Sequence, residues 1–279
     1  MAGTAALDRL EPLEEPETLG WAAGAGAGAG PAGVSALRTR PERLRQAVRA
    51  CQVRYGAVAL RTGVDAVRAQ GLSTGIAALD RLTGVGGLPR GRITLLEGPA
   101  GAGTVALGLA ALAAASREDP VALVDFSHTV DPADLLAYQG TLGRLWVVRP
   151  RQPLEGWAAV RALVRAGVRA CLAVAGPRAL ALAPSALLPT LAETLAVCTV
   201  VGGPQAPGPW RVASSLTLAC EPRGWWWVHG DIAGVDLACT VGKHRCGPAG
   251  GRLCLRVRFP RPYPPGAGVE ALAAAPGAG

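Results

Sequence analysis

Eight residues in the first half of the chain, GPAGAGTV at 98–105, have the glycine spacing of a phosphate-binding loop. That pattern requires a lysine at position 104, which neutralises phosphate oxygens, and a serine or threonine at 105, which ligates Mg²⁺. The chain has Thr104 and Val105 instead. The loop has the glycines of the pattern but neither the lysine charge nor the metal-binding hydroxyl at 105. We therefore expect no resident cofactor, no Mg²⁺ and at most weak ATP binding. The glycines that the pattern requires are all present, at Gly98, Gly101 and Gly103.

Apolar segments alternate with helical segments on both sides of this loop. Near-continuous apolar strands joined by helices form a parallel sheet that is buried on both faces. Further strand-like segments have hairpin-like spacing, at 214–222, 224–231, 235–245 and 252–259. We therefore predict an α/β fold with a mostly parallel sheet, helices on both faces and an antiparallel extension. The segments predicted as parallel strands are 93–98, 121–126, 144–148, 170–176 and 196–202, and 104–116 is predicted as a helix.

The charge distribution is uneven along the chain. The formal net charge is +8, whereas residues 1–34 are acidic. A basic body favours nucleic acid or an acidic partner, and it is equally compatible with a solvated basic surface. With 279 residues of which 50% are hydrophobic, the chain can bury one main domain with attached ends.

The seven cysteines form no C-x-x-C pair. Cys171 and Cys198 lie inside apolar strand-like segments, so we expect buried free thiols in a reducing compartment rather than metal ligands. The sequence has no signal-peptide pattern and no uninterrupted apolar stretch long enough for a spanning helix. We therefore expect a cytoplasmic protein with no membrane contact and no metal site.

Low-complexity segments divide the chain. We predict a disordered acidic leader and Gly/Ala linker over 1–35, an arginine-rich helical segment over 36–70, a core over 71–260 and a disordered tail over 261–279. A general Ala/Gly/Arg bias would produce the same end segments without any functional cause.

Residues 40–56 have apolar side chains at helical spacing and arginines on the other face. The apolar stripe docks either on its own domain or on a neighbouring subunit, and the arginines then face solvent or an anionic partner. The arginines that we predict to contact a partner or DNA are Arg38, Arg45, Arg49 and Arg54.

From about residue 70 to 260 the chain resembles the RecA family. GLSTGIAALDRLTGVGGLPRGR is similar to the lead-in to that family's nucleotide loop. In active members, the segment like VALVDFSHTVDP carries a glutamate that orients the attacking water, and here the matching residue is Ser127. The strand like ACLAVAG ends there in an acidic metal-site residue, matched here by Ala175. The resemblance implies a RecA-like P-loop core that lacks three separate sets of groups needed for ATP hydrolysis: the loop lysine with the metal-binding hydroxyl, the glutamate and the acidic strand end. The chain would then be a pseudo-ATPase rather than an enzyme.

A second stretch, GKHRCGPAGG at 242–251, resembles the K-x-R-x-G-P-x-G segment of RecA-superfamily ATPases. The resemblance implies that Lys243 and Arg245 reach across a subunit boundary to a neighbour's nucleotide, from a turn outside the core. Of the 28 basic residues only Lys243 is a lysine, and lysine and arginine are not equivalent at phosphate sites. The alternative is that the stretch is an ordinary hairpin.

In its size, arginine-rich helix and eroded loop the chain resembles degenerate RecA paralogues of the ImuA type, from bacterial DNA-damage mutagenesis cassettes. That resemblance implies an accessory protein of the DNA-damage (SOS) response that supports translesion synthesis or modulates RecA filaments. Its partners would be RecA or translesion polymerase components, with single-stranded DNA as a further candidate. The alternatives are an ATP-binding RecA-like recombinase, or a single-stranded DNA-binding repair protein that uses the arginine helix and a basic C-terminal strand. The strand's arginines are Arg252, Arg256, Arg258 and Arg261, and bases would stack on Trp225, Trp226 and Trp227, of which we expect at least one in the core.

Overall fold

The structure is a computed structural model, and it describes residues 42, 46, 47, 70–182, 184–260 and 268–272. The chain divides into two units, Met1–Gln46 and Ala47–Gly279. In the first unit Glu42 and Gln46 are helical and exposed. In the second, Ala47 is also helical and exposed. The predicted helical segment over 36–70 stays a prediction, since its other residues lie outside the described part.

A nine-stranded sheet forms the core of the second unit, in the order β11-β10-β9-β8-β3-β7-β6-β4-β5. The strands from β8 to β5 in this order run parallel, and β8 to β11 are joined antiparallel. The predicted mostly parallel sheet with an antiparallel extension is confirmed. Its strands are β3 (Ile93–Glu97), β4 (Val121–Asp125), β5 (Leu145–Val148), β6 (Ala170–Val174), β7 (Val197–Gly202), β8 (Leu216–Val228), β9 (Asp231–His244), β10 (Arg252–Arg258) and β11 (Gly268–Ala271).

Seven α-helices lie among the strands in the part described between residues 70 and 260. A separate two-stranded sheet, β1 (Gly71–Leu72) with β2 (Leu88–Pro89), brackets the first helix. The helices are α1 (Ala77–Thr83), α2 (Thr104–Ser116), α3 (Asp134–Ala137), α4 (Pro153–Arg165), α5 (Pro177–Leu180), α6 (Leu188–Thr194) and α7 (Gly208–Ala213), with 3-10 turns at Leu142–Arg144 and Pro184–Ala186.

The two faces of the sheet bury separate apolar clusters. Along β6, Leu172 joins the cluster with α1, α2 and α3, whereas its neighbours Cys171 and Ala173 join the cluster with α4 to α7. This alternation explains why the inner parallel strands are mostly apolar, since side chains on both of their faces meet a helical layer. The edge strand β5 is the exception, because its Trp146 is 59% exposed. Cys171 and Cys198 are buried free thiols, as predicted.

Three expectations about the extension are wrong. Residues 216–228 form one continuous strand rather than two, since β8 continues past its pairing with β3 and pairs with β9 along its whole length. Part of the predicted disordered tail, Gly268–Ala271, is strand β11, because it completes the edge of β10. None of the three adjacent tryptophans belongs to either core cluster, since the β8–β9 ribbon extends beyond the helical layers.

Candidate functional site: a RecA-like loop with altered chemistry

The phosphate-loop motif lies in the strand–loop–helix context that it needs. Strand β3 ends at Glu97 and helix α2 begins at Thr104, with the loop 98–103 between them. Gly101 and Gly103 have φ values of +78° and +84°, a left-handed conformation that strains residues with a side chain. The glycines therefore serve the backbone path that the motif predicts.

The antiparallel ribbon packs directly against these glycines. A Cβ atom on Gly98 would lie 2.8 Å from the carbonyl oxygen of Cys220, and one on Gly103 would lie 2.8 Å from Val235 Cγ1. Both distances are shorter than a real Cβ contact allows. The glycines are thus also required by packing, and their presence alone does not demonstrate phosphate binding.

The start of helix α2 offers backbone donors without the usual side chains. Thr104 is buried, and Val105 packs against the apolar cluster beside it. The N-cap, Gly103, provides no side-chain hydrogen bond, and the first turn carries no acid. Amide groups and the helix dipole at such an end attract anions. The lysine charge and the metal-binding hydroxyl have no counterpart at positions 104 and 105.

Ser127, at the position of the family's glutamate, is engaged by a neighbouring carboxylate. Its hydroxyl donates to Asp125 Oδ1 at 2.7 Å and its backbone N–H donates to the same oxygen at 3.1 Å. The backbone N–H of Val130 donates to Asp125 Oδ2 at 2.9 Å. The fully buried Asp125 carboxylate therefore orders the loop after β4, and a hydroxyl held in this way is no general base.

Ala175 follows β6 at the carboxyl end of the sheet. It is buried, and its backbone N–H donates to the carbonyl of Val201 on the neighbouring strand at 3.2 Å. A methyl group can neither ligate a metal nor hold a water for attack. Across the described residues no group of three or more His, Cys, Asp or Glu could hold a metal ion.

An ion pair that the sequence analysis missed lies at the base of the loop. The buried carboxylate of Glu97 accepts two hydrogen bonds from Arg211, at 2.7 Å to Oε1 and 3.0 Å to Oε2. It also accepts one from the backbone N–H of Ala206 at 3.1 Å. Hydrogen bonding to Glu97 raises the pKa of Arg211. Arg211 lies on α7, distant in sequence from β3, so no local pattern could have identified its partner.

Lys243 and Arg245 are brought together at the carboxyl end of α7. Lys243 Nζ donates to the backbone carbonyls of Arg211 and Val212, the latter at 3.0 Å, and Arg245 donates to Val212 at 2.6 Å. Burial, and then the charge of Arg245, lower the pKa of Lys243. The expectation that both lie at a turn is wrong for Lys243, which belongs to β9 because its strand pairs as far as Leu216. Cations suit this position, since a helix carboxyl end carries partial negative charge.

The hairpin glycines of 242–251 also have a packing role. A Cβ atom on Gly247 would lie 2.4 Å from the carbonyl oxygen of Thr83, and one on Gly251 would lie 2.7 Å from Leu82 Cδ1. The hairpin therefore rests against the end of α1, and that contact accounts for the two glycines without a neighbouring subunit.

The predicted arginine helix lies mostly outside the described part of the chain. Arg38, Arg45, Arg49 and Arg54 lie outside the described residues, so their predicted contacts with a partner or DNA remain predictions.

A basic pocket of about 480 Å³ lies at the carboxyl ends of β4 and β6. Two exposed arginines, Arg151 and Arg178, line it together with Phe126 and Gln152. Arginine near an aromatic ring suits a phosphate-bearing ligand with stacking groups. This pocket is the feature that most favours nucleic-acid contact.

Comparison with known proteins agrees with the fold. Residues 42–188 match the family model described as the RecA N-terminal domain. The chain is 37% identical over 134 residues to Protein RecA of Chlorobaculum tepidum, covering 46% of this chain and 39% of that protein. It is also 37% identical over 99 residues to Protein RecA of Deinococcus radiodurans, covering 35% of this chain and 27% of that protein.

The matched part is thus about two fifths, or less, of the length of these relatives. Among solved structures, that of the RadB recombinase superposes with a TM-score of 0.57 and 17% identity, covering 72% of this chain and all of that one. At that identity the likeness concerns the fold alone. No helix in the described part is both long and apolar enough to cross a membrane. Since the family model covers more than half of the sequence, this chain belongs to the RecA N-terminal domain family.

Proposed function

We propose that this chain is a non-hydrolysing RecA-like accessory protein of DNA repair, which acts through protein–protein contacts. The observation that carries the proposal is the start of α2, where buried Thr104 and half-buried Val105 replace the charge and the metal ligand of a nucleotide loop. Ser127, tied to Asp125, and Ala175 support it independently. A role in the DNA-damage response, through RecA filaments or translesion synthesis, is the form of this function that the resemblance to ImuA-type paralogues suggests.

The physical case against hydrolysis is the number of separate deficits. Each charge-assisted hydrogen bond that is lost removes roughly 1.5 to 3 kcal/mol. Losing the groups that stabilise transition-state charge lowers rates by orders of magnitude. Since the deficits lie on β4, β6 and α2, one compensating change would not restore the set.

A nucleotide titration tests the proposal. Calorimetry with ATP, with and without Mg²⁺, should give weak or undetectable binding that Mg²⁺ does not strengthen, because the remaining donors are backbone amides. Micromolar binding that requires Mg²⁺ would contradict the proposal and favour the alternative of an ATP-binding recombinase.

We further propose that Lys243 and Arg245 act on a nucleotide held by a RecA neighbour. Trans-acting cations change phosphoryl-transfer rates by about 10³ to 10⁵. In the chain by itself both groups bind carbonyls of α7, so they would have to exchange these hydrogen bonds for phosphate oxygens. The variant Lys243→Ala with Arg245→Ala should remove any effect on RecA ATPase or filament growth. An unchanged effect of that variant on RecA would leave the two residues as a helix cap only.

Direct binding of single-stranded DNA is the second candidate function, favoured by the pocket of Arg151 and Arg178. Arg256 and Arg258 are less suitable for contacting DNA phosphates, because Arg256 is paired with Asp236 and Arg258 with Glu270. A salt titration of the binding affinity distinguishes contact with DNA phosphates from contact with a protein, since several phosphate contacts give a steep loss of affinity with salt. Arg151→Ala with Arg178→Ala should reduce that slope if this pocket is the site.

A further inference from the structure

A second pocket, which we call the ribbon pocket, lies between the start of α2 and the projecting part of the β8–β10 ribbon. Its volume is about 540 Å³, within the range of small-molecule and side-chain pockets. One wall is the phosphate loop, from Gly101 to Val105, whereas the walls from α3 and the ribbon lie far from it in the chain and were not predicted from the sequence. The lining residues used below are Val105, Leu109, Asp134, Trp225, Ile232 and Phe259.

The walls of the ribbon pocket are aromatic and aliphatic. The rings of Trp225 and Phe259 lie 6.4 Å apart, and the Trp225 indole reaches to within 3.8 Å of a Cβ placed on Gly101. Trp225 is 42% and Ile232 is 41% exposed, although both are large apolar side chains. Single exposed apolar residues are ordinary, but several around one concave surface mark a binding site.

The charge of the ribbon pocket is negative. Among its described lining residues Asp134 carries the one charge, and none is lysine or arginine. Burial, and then the charge of Asp131, raise the pKa of Asp134, as expected of a carboxylate that lacks a cationic partner. Tyr138, which also lines the pocket, donates its hydroxyl to the carbonyl of Arg258 at 3.0 Å. Apart from the backbone amides at the start of α2, the pocket therefore offers a polyphosphate no positive partner, and it suits a ligand that carries a cation beside an apolar group.

We propose that the ribbon pocket receives an aromatic or branched aliphatic side chain of a partner protein, with a basic residue next to it in the partner's sequence. The apolar side chain packs between Trp225, Ile232 and Phe259, while the basic group lies beside Asp134. This deepens the proposed function by specifying the chemistry of the partner. It rests on the chain acting through protein contacts, and its test involves no nucleotide hydrolysis.

The test uses two dipeptide probes, N-acetyl-Phe-Arg-amide and N-acetyl-Phe-Glu-amide, on the full chain. Binding is followed by NMR through the indole N–H resonances, with that of Trp225 assigned by Trp225→Phe. Probes of this size bind with about millimolar affinity, so titration extends to about 10 mM. The Phe-Arg probe should shift the Trp225 resonance and bind about two- to tenfold more tightly than Phe-Glu. Asp134→Asn should remove most of that difference.

Matched variants locate the effect. Ile232→Lys should abolish binding of the Phe-Arg probe, whereas Leu154→Lys, a change at a more exposed apolar residue on α4, should leave it intact. No shift of Trp225 with either probe, or a preference for Phe-Glu, would overturn the proposal. So would tighter binding of ATP than of either dipeptide at the same resonance, which would contradict the proposed function as well. Tyr263 belongs to the segment 261–267, which lies outside the described residues and follows Phe259 of the pocket closely in the chain. If Phe-Arg bound only after Tyr263→Ala, the occupant would be that segment, and the proposal of a partner side chain would be wrong.

Discussion

Replacing Arg211 by methionine should destabilise the fold through the carboxylate of Glu97. The change keeps the aliphatic part of the side chain and removes two charge-assisted hydrogen bonds, at 2.7 and 3.0 Å, from a carboxylate that is 5% exposed. Breaking a fully buried pair costs about 3 to 5 kcal/mol. The Arg211 side chain is 50% exposed, and Glu97 keeps the N–H of Ala206. We therefore expect a loss of about 2 kcal/mol in the free energy of unfolding.

Urea unfolding of the full chain measures this difference, and a loss of that size should lower Tm by about 4 to 8 °C. Arg223→Met is the matched control, because Arg223 pairs with Glu221 at 3.1 Å while both side chains are more than half exposed. The control should change stability by less than about 0.5 kcal/mol. Equal effects of the two variants would refute the claim that the buried Glu97 carboxylate depends on Arg211.

Two further predictions concern packing and pH. Gly103→Ala should lower the free energy of unfolding by about 1 to 3 kcal/mol, since φ is +84° and the new Cβ would approach Val235 Cγ1. The control Gly203→Ala places its Cβ in open space and should change that free energy by less than about 0.5 kcal/mol. Equal Tm shifts of the two variants would contradict the close packing of the ribbon on the loop. Hydrogen bonding to Arg256 lowers the pKa of Asp236 below its ordinary 3.8, so the stability that this pair contributes is present above that value and is lost as pH falls through the lower folded pKa. Asp236→Asn should therefore be less stable than the native chain at pH 7 and nearly equal to it well below pH 3.8, as urea unfolding at both pH values would show; a constant gap would contradict the assignment.

The parallel sheet was predictable from the sequence because its inner strands are buried on both faces and are therefore mostly apolar. The phosphate-loop position was predictable because its glycines lie close together in the chain, at 98, 101 and 103. The ribbon was predicted less well. The sequence predicts two strands within residues 216–228, because polar residues follow Cys220. In the structure these residues are polar because they are exposed to solvent, and the strand continues through them.

The contacts around the loop depended on residues far apart in sequence. Glu97 and Arg211 meet only because β7, which leads into α7, lies beside β3. Lys243 was identified by its motif, but its contact with α7 followed from the pairing of β8 with β9. Sequence patterns thus located the positions at which this chain differs from the motif, and the order of the strands in the sheet determined which groups lie around them.

The most direct test of the account is steady-state ATP hydrolysis by the purified full chain, with and without single-stranded DNA. We expect no turnover above background. We also expect none from the variant Thr104→Lys with Val105→Thr, because Ser127 and Ala175 would remain unchanged. Turnover by the native chain that a single loop change such as Gly101→Asp abolished would assign an active site to this loop. That result, or robust turnover by the double variant, would contradict the central claim.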